Sequence, residues 1–461
     1  MVQSSRTLPK TPAPHLVFLN HWISERRFQI QGIALWYNRA MKKIDFAKNS
    51  RILYRYLTLM CFFLLAAAFL LNRPQEIFQG FAAILWSPSN LLTDYFAIAN
   101  PGATLCNAAV TTLFTLLFLR RAQIVLTGPL VAALFTICGF AFFGKNLYNS
   151  APFLIGIVLY ARLAKAPLNS VVLVGLFSTA LSPLISEITF GFGLSYWISV
   201  PLAYSVGTLI GLLMSPLGAS FLRVHHGYNL YNIGFTAGIL GMMIAGMLRL
   251  FKLRIETVSV LSFGHNGSVA LLLYGIFGSM IALVLWQTRG KIPPLSALYK
   301  DAGRLLSDFL VLYDLPATFL NMALLGLSCT TYVLLVGGEL NGPVVGGIFT
   351  VVGFGAMGKH LFNVTPVVVG IFLASLFSNA GSHQSTGVLL TTLFGTTLAP
   401  IAGHFGFGPG VLAGFIHLSM AANIGYLHGG MNLYNNGFSG GFVAAILVPL
   451  LEARQDLFRK E

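Results

Sequence analysis

Two stretches of this chain carry the same pattern at a fixed spacing. Ala103-Thr104 with Asn107 recurs 214 residues on as Ala317-Thr318 with Asn321, and Gly128-Pro129 recurs as Gly342-Pro343. Phe135-Thr136 with Gly139-Phe140 matches Phe349-Thr350 with Gly353-Phe354, and Gly144-Lys145, Asn149, Pro152 and Gly156-Ile157 match Gly358-Lys359, Asn363, Pro366 and Gly370-Ile371. After small shifts in spacing, Phe190-Gly191-Phe192-Gly193 matches Phe405-Gly406-Phe407-Gly408. His225 with Asn229-Leu230-Tyr231-Asn232 then matches His428 with Asn432-Leu433-Tyr434-Asn435. An ordered series of this length marks a duplicated architecture.

The duplicated unit is apolar. Of 461 residues 56% are hydrophobic and 9% charged, against about 25% charged in soluble domains. Apolar runs of roughly bilayer length fall near 55–72, 102–119, 123–143, 149–164, 170–188, 196–216, 233–249, 267–288, 315–337, 343–358, 363–378, 385–401, 409–425 and 434–451. Several are short, as half-helices are in transporters. The run at 77–97 is broken by Ser87-Pro88-Ser89-Asn90 and reads as interfacial or re-entrant. The expectation is an all-α polytopic membrane protein. A basic N-terminal segment (1–51) and a first helix with its re-entrant segment (52–99) lead into repeat one (100–256). A connecting helix and linker (257–313) separate it from repeat two (314–461).

Charge placement favours a membrane topology over nucleic-acid binding, although the formal net charge is +15. Most Lys and Arg sit before residue 52 or between apolar runs, where short basic loops favour the cytoplasm. Arg120-Arg121 ends the first helix of repeat one, whereas its counterpart loop is Gly337-Gly338-Glu339-Leu340-Asn341; Arg162 and Lys165 have Ser378-Asn379-Ala380-Gly381-Ser382 as theirs. These contrasts predict inverted repeats of about six crossings each, with both termini in the cytoplasm, in a cell membrane. Arg249, Lys252 and Arg254 run against the pattern. The four cysteines are single and without metal-type spacing.

Polar side chains within hydrocarbon usually face a cavity or a partner. Asn-Leu-Tyr-Asn occurs at 146–149, 229–232 and 432–435, with His360-Leu361-Phe362-Asn363 as a fourth version, each shortly after glycine. Broken helices there would expose backbone amides to a solute. The candidate solute-binding residues are Asn149, Asn363, Asn229, Asn232, Asn432 and Asn435, with Tyr231 and Tyr434 adding hydroxyls. Lys145, Lys359, His225 and His428 are secondary candidates. The alternative is structural: asparagines capping helices, interfacial snorkelling lysines and satisfied histidines. Of the acids near apolar runs (Asp94, Glu187, Asp314, Glu339), none is paired with another of the four by the repeat; Asp314 matches Asn100. No metalloprotease, serine-hydrolase or nucleotide-binding motif is present, so neither catalysis nor a cofactor or metal is expected.

The duplicated multi-pass chain, with Gly227-Tyr228-Asn229-Leu230-Tyr231-Asn232-Ile233-Gly234-Phe235-Thr236-Ala237-Gly238 and its partner from Gly430 to Gly441, resembles an uncharacterised family of conserved bacterial membrane proteins of unknown function. That resemblance spans nearly everything after residue 50 and implies no activity. Gly227-Tyr228-Asn229 and Asn100-Pro101-Gly102 are similar to short stretches of urea transporters, though Leu230 stands where that pattern has glycine and Met431 replaces the tyrosine in the second copy. This likeness implies a narrow pore between inverted repeats that passes a small amide-like solute. The reading is therefore a channel or transporter for a small polar solute, surrounded by membrane lipids, without nucleic-acid partners and potentially homo-oligomeric. A secondary transporter of a small anion is the first alternative, and an intramembrane enzyme acting on lipid or isoprenoid head groups the second.

Overall fold

A computed structural model describes residues 45–89, 92–253, 255, 258–377 and 382–458. The basic segment at 1–51 lies outside the described residues as far as residue 44, as do Arg254 and most of the 378–382 loop.

Helices α1 (Phe46–Leu71) and α2 (Pro74–Leu85) lead to strand β1 (Leu92–Thr93) and a single turn, α3 (Tyr95–Ile98). Then follow α4 (Pro101–Arg121), α5 (Gly128–Phe140), α6 (Leu147–Leu163), α7 (Leu168–Ser178), α8 (Ser182–Ser186), α9 (Tyr196–Phe221) and α10 (Asn232–Leu250). After strand β2 (Ser259–Val260) come α11 (Asn266–Gln287), the turn α12 (Phe309–Leu312), α13 (Leu315–Leu335), α14 (Gly342–Phe354), α15 (Leu361–Ser375), α16 (Thr386–Gly395), α17 (Ala399–Phe405), α18 (Phe407–Ile424) and α19 (Asn435–Phe458). β1 and β2 pair in parallel; the rest of the regular structure among the described residues is helical. Proline at the first or second position starts α4, α5, α13 and α14, where its missing N–H has no helical partner to lose.

Among the described residues, ten helices are long and apolar enough to cross a membrane, and α5, α6, α14 and α15 are shorter apolar helices. Together they fall on the fourteen apolar runs. The chain is a multi-pass membrane protein. α5 and α14 have 13 residues each, about 20 Å of helix against a hydrocarbon core of about 30 Å. Neither carries a charge, and all of α14 and all of α5 except Pro129 is buried, as helices apolar on every side must be.

The two short helices pack against each other antiparallel. A Cβ at Gly128 would stand 2.3 Å from the Ala356 carbonyl oxygen, and one at Gly342 would stand 2.4 Å from that of Phe142. Near the Gly342 end, Gly139 rests on Gly346, where a Cβ would meet the carbonyl oxygen at 2.8 Å. Only glycine admits this backbone approach. The flanking helices keep the duplication: α1 lies on α4 as α11 lies on α13, and α6 lies on α9 as α15 lies on α18. Helix α11, which reads from sequence as a lone connector, thus holds in the second copy the place of α1 in the first. Among the described residues each copy has seven long or shorter apolar spans, with α10 and α19 packed on each other.

Candidate functional site

The site begins where α5 and α14 stop short. Glycine at positive φ turns the chain, Gly144 at 70° and Gly358 at 127°, and leaves the last carbonyls of each helix without intrahelical donors. Asn107 of α4 bridges the break that follows, its Nδ2 donating to the carbonyls of Ala141 at 2.7 Å and Lys145 at 2.9 Å. Asn321 of α13 does the same for Gly355 at 2.9 Å and Lys359 at 2.8 Å. The next helix restarts on a reciprocal cap. The Asn149 amide donates to Asn146 Oδ1 and the Asn146 amide to Asn149 Oδ1, while His360 Nδ1 and Asn363 Oδ1 serve α15 in the same way.

Lys145 and Lys359 sit in these breaks, 1% and 0% exposed, so neither reaches a surface. Lys145 Nζ donates to Thr179 Oγ1 at 2.5 Å; Lys359 Nζ donates to the equivalent Thr396 Oγ1 at 2.7 Å and to the Tyr231 hydroxyl at 2.6 Å. Their ammonium groups also lie over aromatic rings, Lys145 over Phe140 at 5.5 Å and Lys359 over Phe354 at 5.3 Å, an arrangement that stabilises a desolvated cation.

Those rings belong to a cluster of six aromatics between the copies. Tyr231 and Tyr434 approach to 4.7 Å between centroids. Each lies edge-on to the phenylalanine ending the other copy's short helix, Tyr434 to Phe140 at 4.8 Å and Tyr231 to Phe354 at 4.6 Å. Phe177 and Phe394 complete it. The geometry is that of edge-to-face aromatic packing, and all six rings are buried.

The Asn-Leu-Tyr-Asn segments at 229 and 432 converge here, and their amides bond across the repeat boundary. Asn229 Nδ2 donates to the Gly437 carbonyl at 2.9 Å and Asn432 Nδ2 to that of Gly234 at 3.1 Å. Oδ1 of each accepts the amide of the tyrosine two residues on. The Leu230 amide donates to the Thr397 carbonyl and that of Leu433 to Ala180, the turns that join α16 to α17 and α7 to α8. Asn232 and Asn435 differ: each is held by a histidine, His225 Nε2 at 3.0 Å and His428 Nε2 at 2.8 Å, and each lines a cavity. Asn149 and Asn363 point their Nδ2 at the Gly144 and Gly358 carbonyls.

Two large cavities border the aromatic cluster, and they are equivalent by repeat. One, about 370 Å³, lies among α7, α9 and α10 and is bounded by Phe177, Tyr231, Phe354 and Tyr434. The other, about 650 Å³, lies among α16, α18 and α19 and is bounded by Phe394, Leu433 and Asn435. Leu306 lines the first and Leu92 the second, again 214 residues apart. Their linings differ. Where the first cavity has Val174 and Ile233, the second has Thr391 and Asn436, together with Ser419 and Asn423. Asn436 is oriented by His417 Nε2 at 3.0 Å on its Oδ1, which leaves the Nδ2 face for the cavity.

Two features escape a reading by motif. Asn436 and His417 have no polar repeat counterparts, which is why a search for duplicated polar residues passes over them. Asp308 is the counterpart of Asp94 at the 214 spacing, but it lies in the linker, away from any apolar run. Neither aspartate lines either of these two cavities; each bonds to backbone. Asp94 accepts from the amides of Phe96, Ser262 and Gly342, and from the Ser262 hydroxyl. Asp308 accepts from the amides of Leu310, Val311 and Gly128. Asn100 and Asp314 likewise cap α4 and α13.

Comparison with known proteins gives one family, described as "Protein of unknown function (DUF1576)", which matches residues 73–250 and 287–453. The chain belongs to that family. The two matched stretches correspond to the two copies without their first helices, α1 and, but for its last residue, α11. No curated protein and no solved structure matches the chain.

Proposed function

We propose that the chain carries a small, uncharged polar solute across a cell membrane, along a route that passes between its two copies. The observation that carries this reading is the pair of repeat-equivalent cavities abutting one shared aromatic constriction. If the copies are inverted, the cavities open to opposite faces, and the Tyr231–Tyr434 pair closes the passage between them. The antiparallel packing of α5 on α14 supports inversion, because repeat-equivalent helices related by an axis in the membrane plane must oppose one another. The amino end of α1 and the carboxyl end of α19 then fall on the same, cytoplasmic side.

The lining of the larger cavity supports the solute class. Asn436 Nδ2 offers donors, while Thr391, Ser419 and Asn423 offer acceptor oxygens, and among the described residues no ionised side chain lines it. A neutral molecule with both donors and acceptors, such as an amide, fits that chemistry. The alternative of a small anion would call on Lys145 and Lys359, yet neither lines the two large cavities and both direct their ammonium groups to hydroxyls.

Uptake into proteoliposomes of urea, small amides, polyols, organic acids and inorganic anions tests this. Saturable uptake of a neutral member, lost in Asn435→Leu with Asn436→Leu, is the expected result. Uptake confined to anions and abolished by Lys145→Gln with Lys359→Gln would favour the anion transporter.

A further inference from the structure

We infer that the arrangement described is one of two related states of the molecule, interchanged when the two central tyrosines swap their hydrogen-bond partners. The inference builds on the transport reading for its purpose and is tested apart from it.

The interface obeys the repeat closely. The asparagine bonds to Gly437 and Gly234, the leucine amides on Thr397 and Ala180, the rings on Phe140 and Phe354, and the lysine bonds to Thr179 and Thr396 all occur in both copies. The bonds of the tyrosine hydroxyls, which both copies share, do not; the bonds of Thr397 Oγ1 to the Tyr231 amide and Asn229 Oδ1 are one-sided as well, because Ala180 stands in its place. The Tyr231 hydroxyl accepts from Lys359, whereas the Tyr434 hydroxyl donates to Thr136 Oγ1 at 3.1 Å. The cavities differ as well, about 650 Å³ in the second copy against about 370 Å³ in the first.

Both sets of partners are present for the reverse arrangement. Thr350 is the counterpart of Thr136, buried on α14 as Thr136 is on α5. Tyr434 and Lys145 already touch the same Phe140 ring, at 4.8 Å and 5.5 Å. Lys145 has one hydrogen-bond partner where Lys359 has two, so its ammonium has an N–H for the second tyrosine. Exchange gives Tyr434 bonded to Lys145 and Tyr231 bonded to Thr350, with the larger cavity now in the first copy. A small change of partners between two packed arrangements is how a bistable interface switches. In a transport protein it exposes the two cavities in turn.

The test uses single cysteines at Ala219 and its repeat equivalent Ala422, which line the smaller and larger cavity and are exposed. The rate of labelling by a charged maleimide is measured in detergent, above the background of the parent chain. Tyr231→Phe removes the bond to Lys359 that is present only in this state, and is expected to raise the ratio of Ala219→Cys to Ala422→Cys labelling about tenfold. Tyr434→Phe is expected to lower that ratio or leave it unchanged. Should the Tyr231→Phe chain not elute as the parent does, Lys359→Met is expected to move the ratio as Tyr231→Phe would. A ratio unmoved or lowered by loss of the Tyr231–Lys359 bond, or raised equally by both tyrosine changes, overturns the exchange. A shifting ratio in a protein without flux would instead count against the transport reading alone.

Discussion

Asp94 accepts the amide proton of Gly342 at 3.1 Å, across 248 residues of chain, and so caps the short helix of the other copy. Asp308 returns the contact on Gly128 at 3.2 Å. The exchange ties the amino end of each short helix to the opposite copy, where a carboxylate satisfies an otherwise orphaned donor and complements the helix dipole. It also fixes the antiparallel register in which Gly139 meets Gly346.

Removing Asp94 therefore loosens the joint between copies. Asp94→Ala leaves the amides of Phe96, Ser262 and Gly342 buried without acceptors, and is expected to cost roughly 2–4 kcal/mol. Asp308→Ala, at a half-buried site, is expected to cost less. Thermal unfolding of the purified proteins in detergent checks the order; a larger loss for Asp308→Ala would count against it.

The helix breaks depend on Asn107 and Asn321. Replacing either by Leu strips donors from two buried carbonyls, at about 1–3 kcal/mol for each. The apparent melting temperature is expected to fall for both single variants by similar amounts, because the two sites are the same by geometry. A fall confined to one would mean that the copies do not share the device.

Helix contact through glycine gives a contrast within one residue type. A Cβ at Gly156 would stand 2.2 Å from the Thr208 carbonyl oxygen, and one at Gly370 would stand 2.0 Å from that of Val411, so Gly156→Ala and Gly370→Ala must separate α6 from α9 and α15 from α18. Overpacking of this kind costs about 1–3 kcal/mol. Gly246 on α10 faces open space, and Gly246→Ala is expected to be neutral or to stabilise by up to about 1 kcal/mol. Yield and melting temperature separate the two outcomes.

For the proposed transport, Asn436→Leu removes the amide that His417 orients into the larger cavity. The expected result is a KM for the neutral solute raised about tenfold, the equivalent of one hydrogen bond to a buried donor. Ile233→Asn in the smaller cavity should leave KM near its starting value, because no histidine stands behind it; Met214 occupies the place of His417.

Much of this architecture is legible in the sequence because duplication doubles every signal. Gly144-Lys145 and Gly358-Lys359 stand out as helix breaks, and Asn107 and Asn321 as equivalents, since glycine and polar residues inside apolar runs need a reason. The partners of those residues are a different matter. Asn229 binds Gly437 and Phe140 binds Tyr434, contacts that cross between copies and follow from how the two copies dock, which no local pattern encodes. Asp308 obeys the same 214 spacing as Asp94 but sits in a polar, proline-containing linker, where an acid attracts no attention. Asn436 and His417 are invisible to a search built on symmetry because they break it.

A route between inverted copies requires the two cavities to reach opposite faces of one membrane. Its most direct measurement is the sidedness of labelling of Ala219→Cys and Ala422→Cys by a bilayer-impermeant maleimide, in vesicles of known orientation. Labelling of one cysteine from the inside and the other from the outside is the predicted result. Labelling of both from the same side would contradict the inverted arrangement and the route drawn through it.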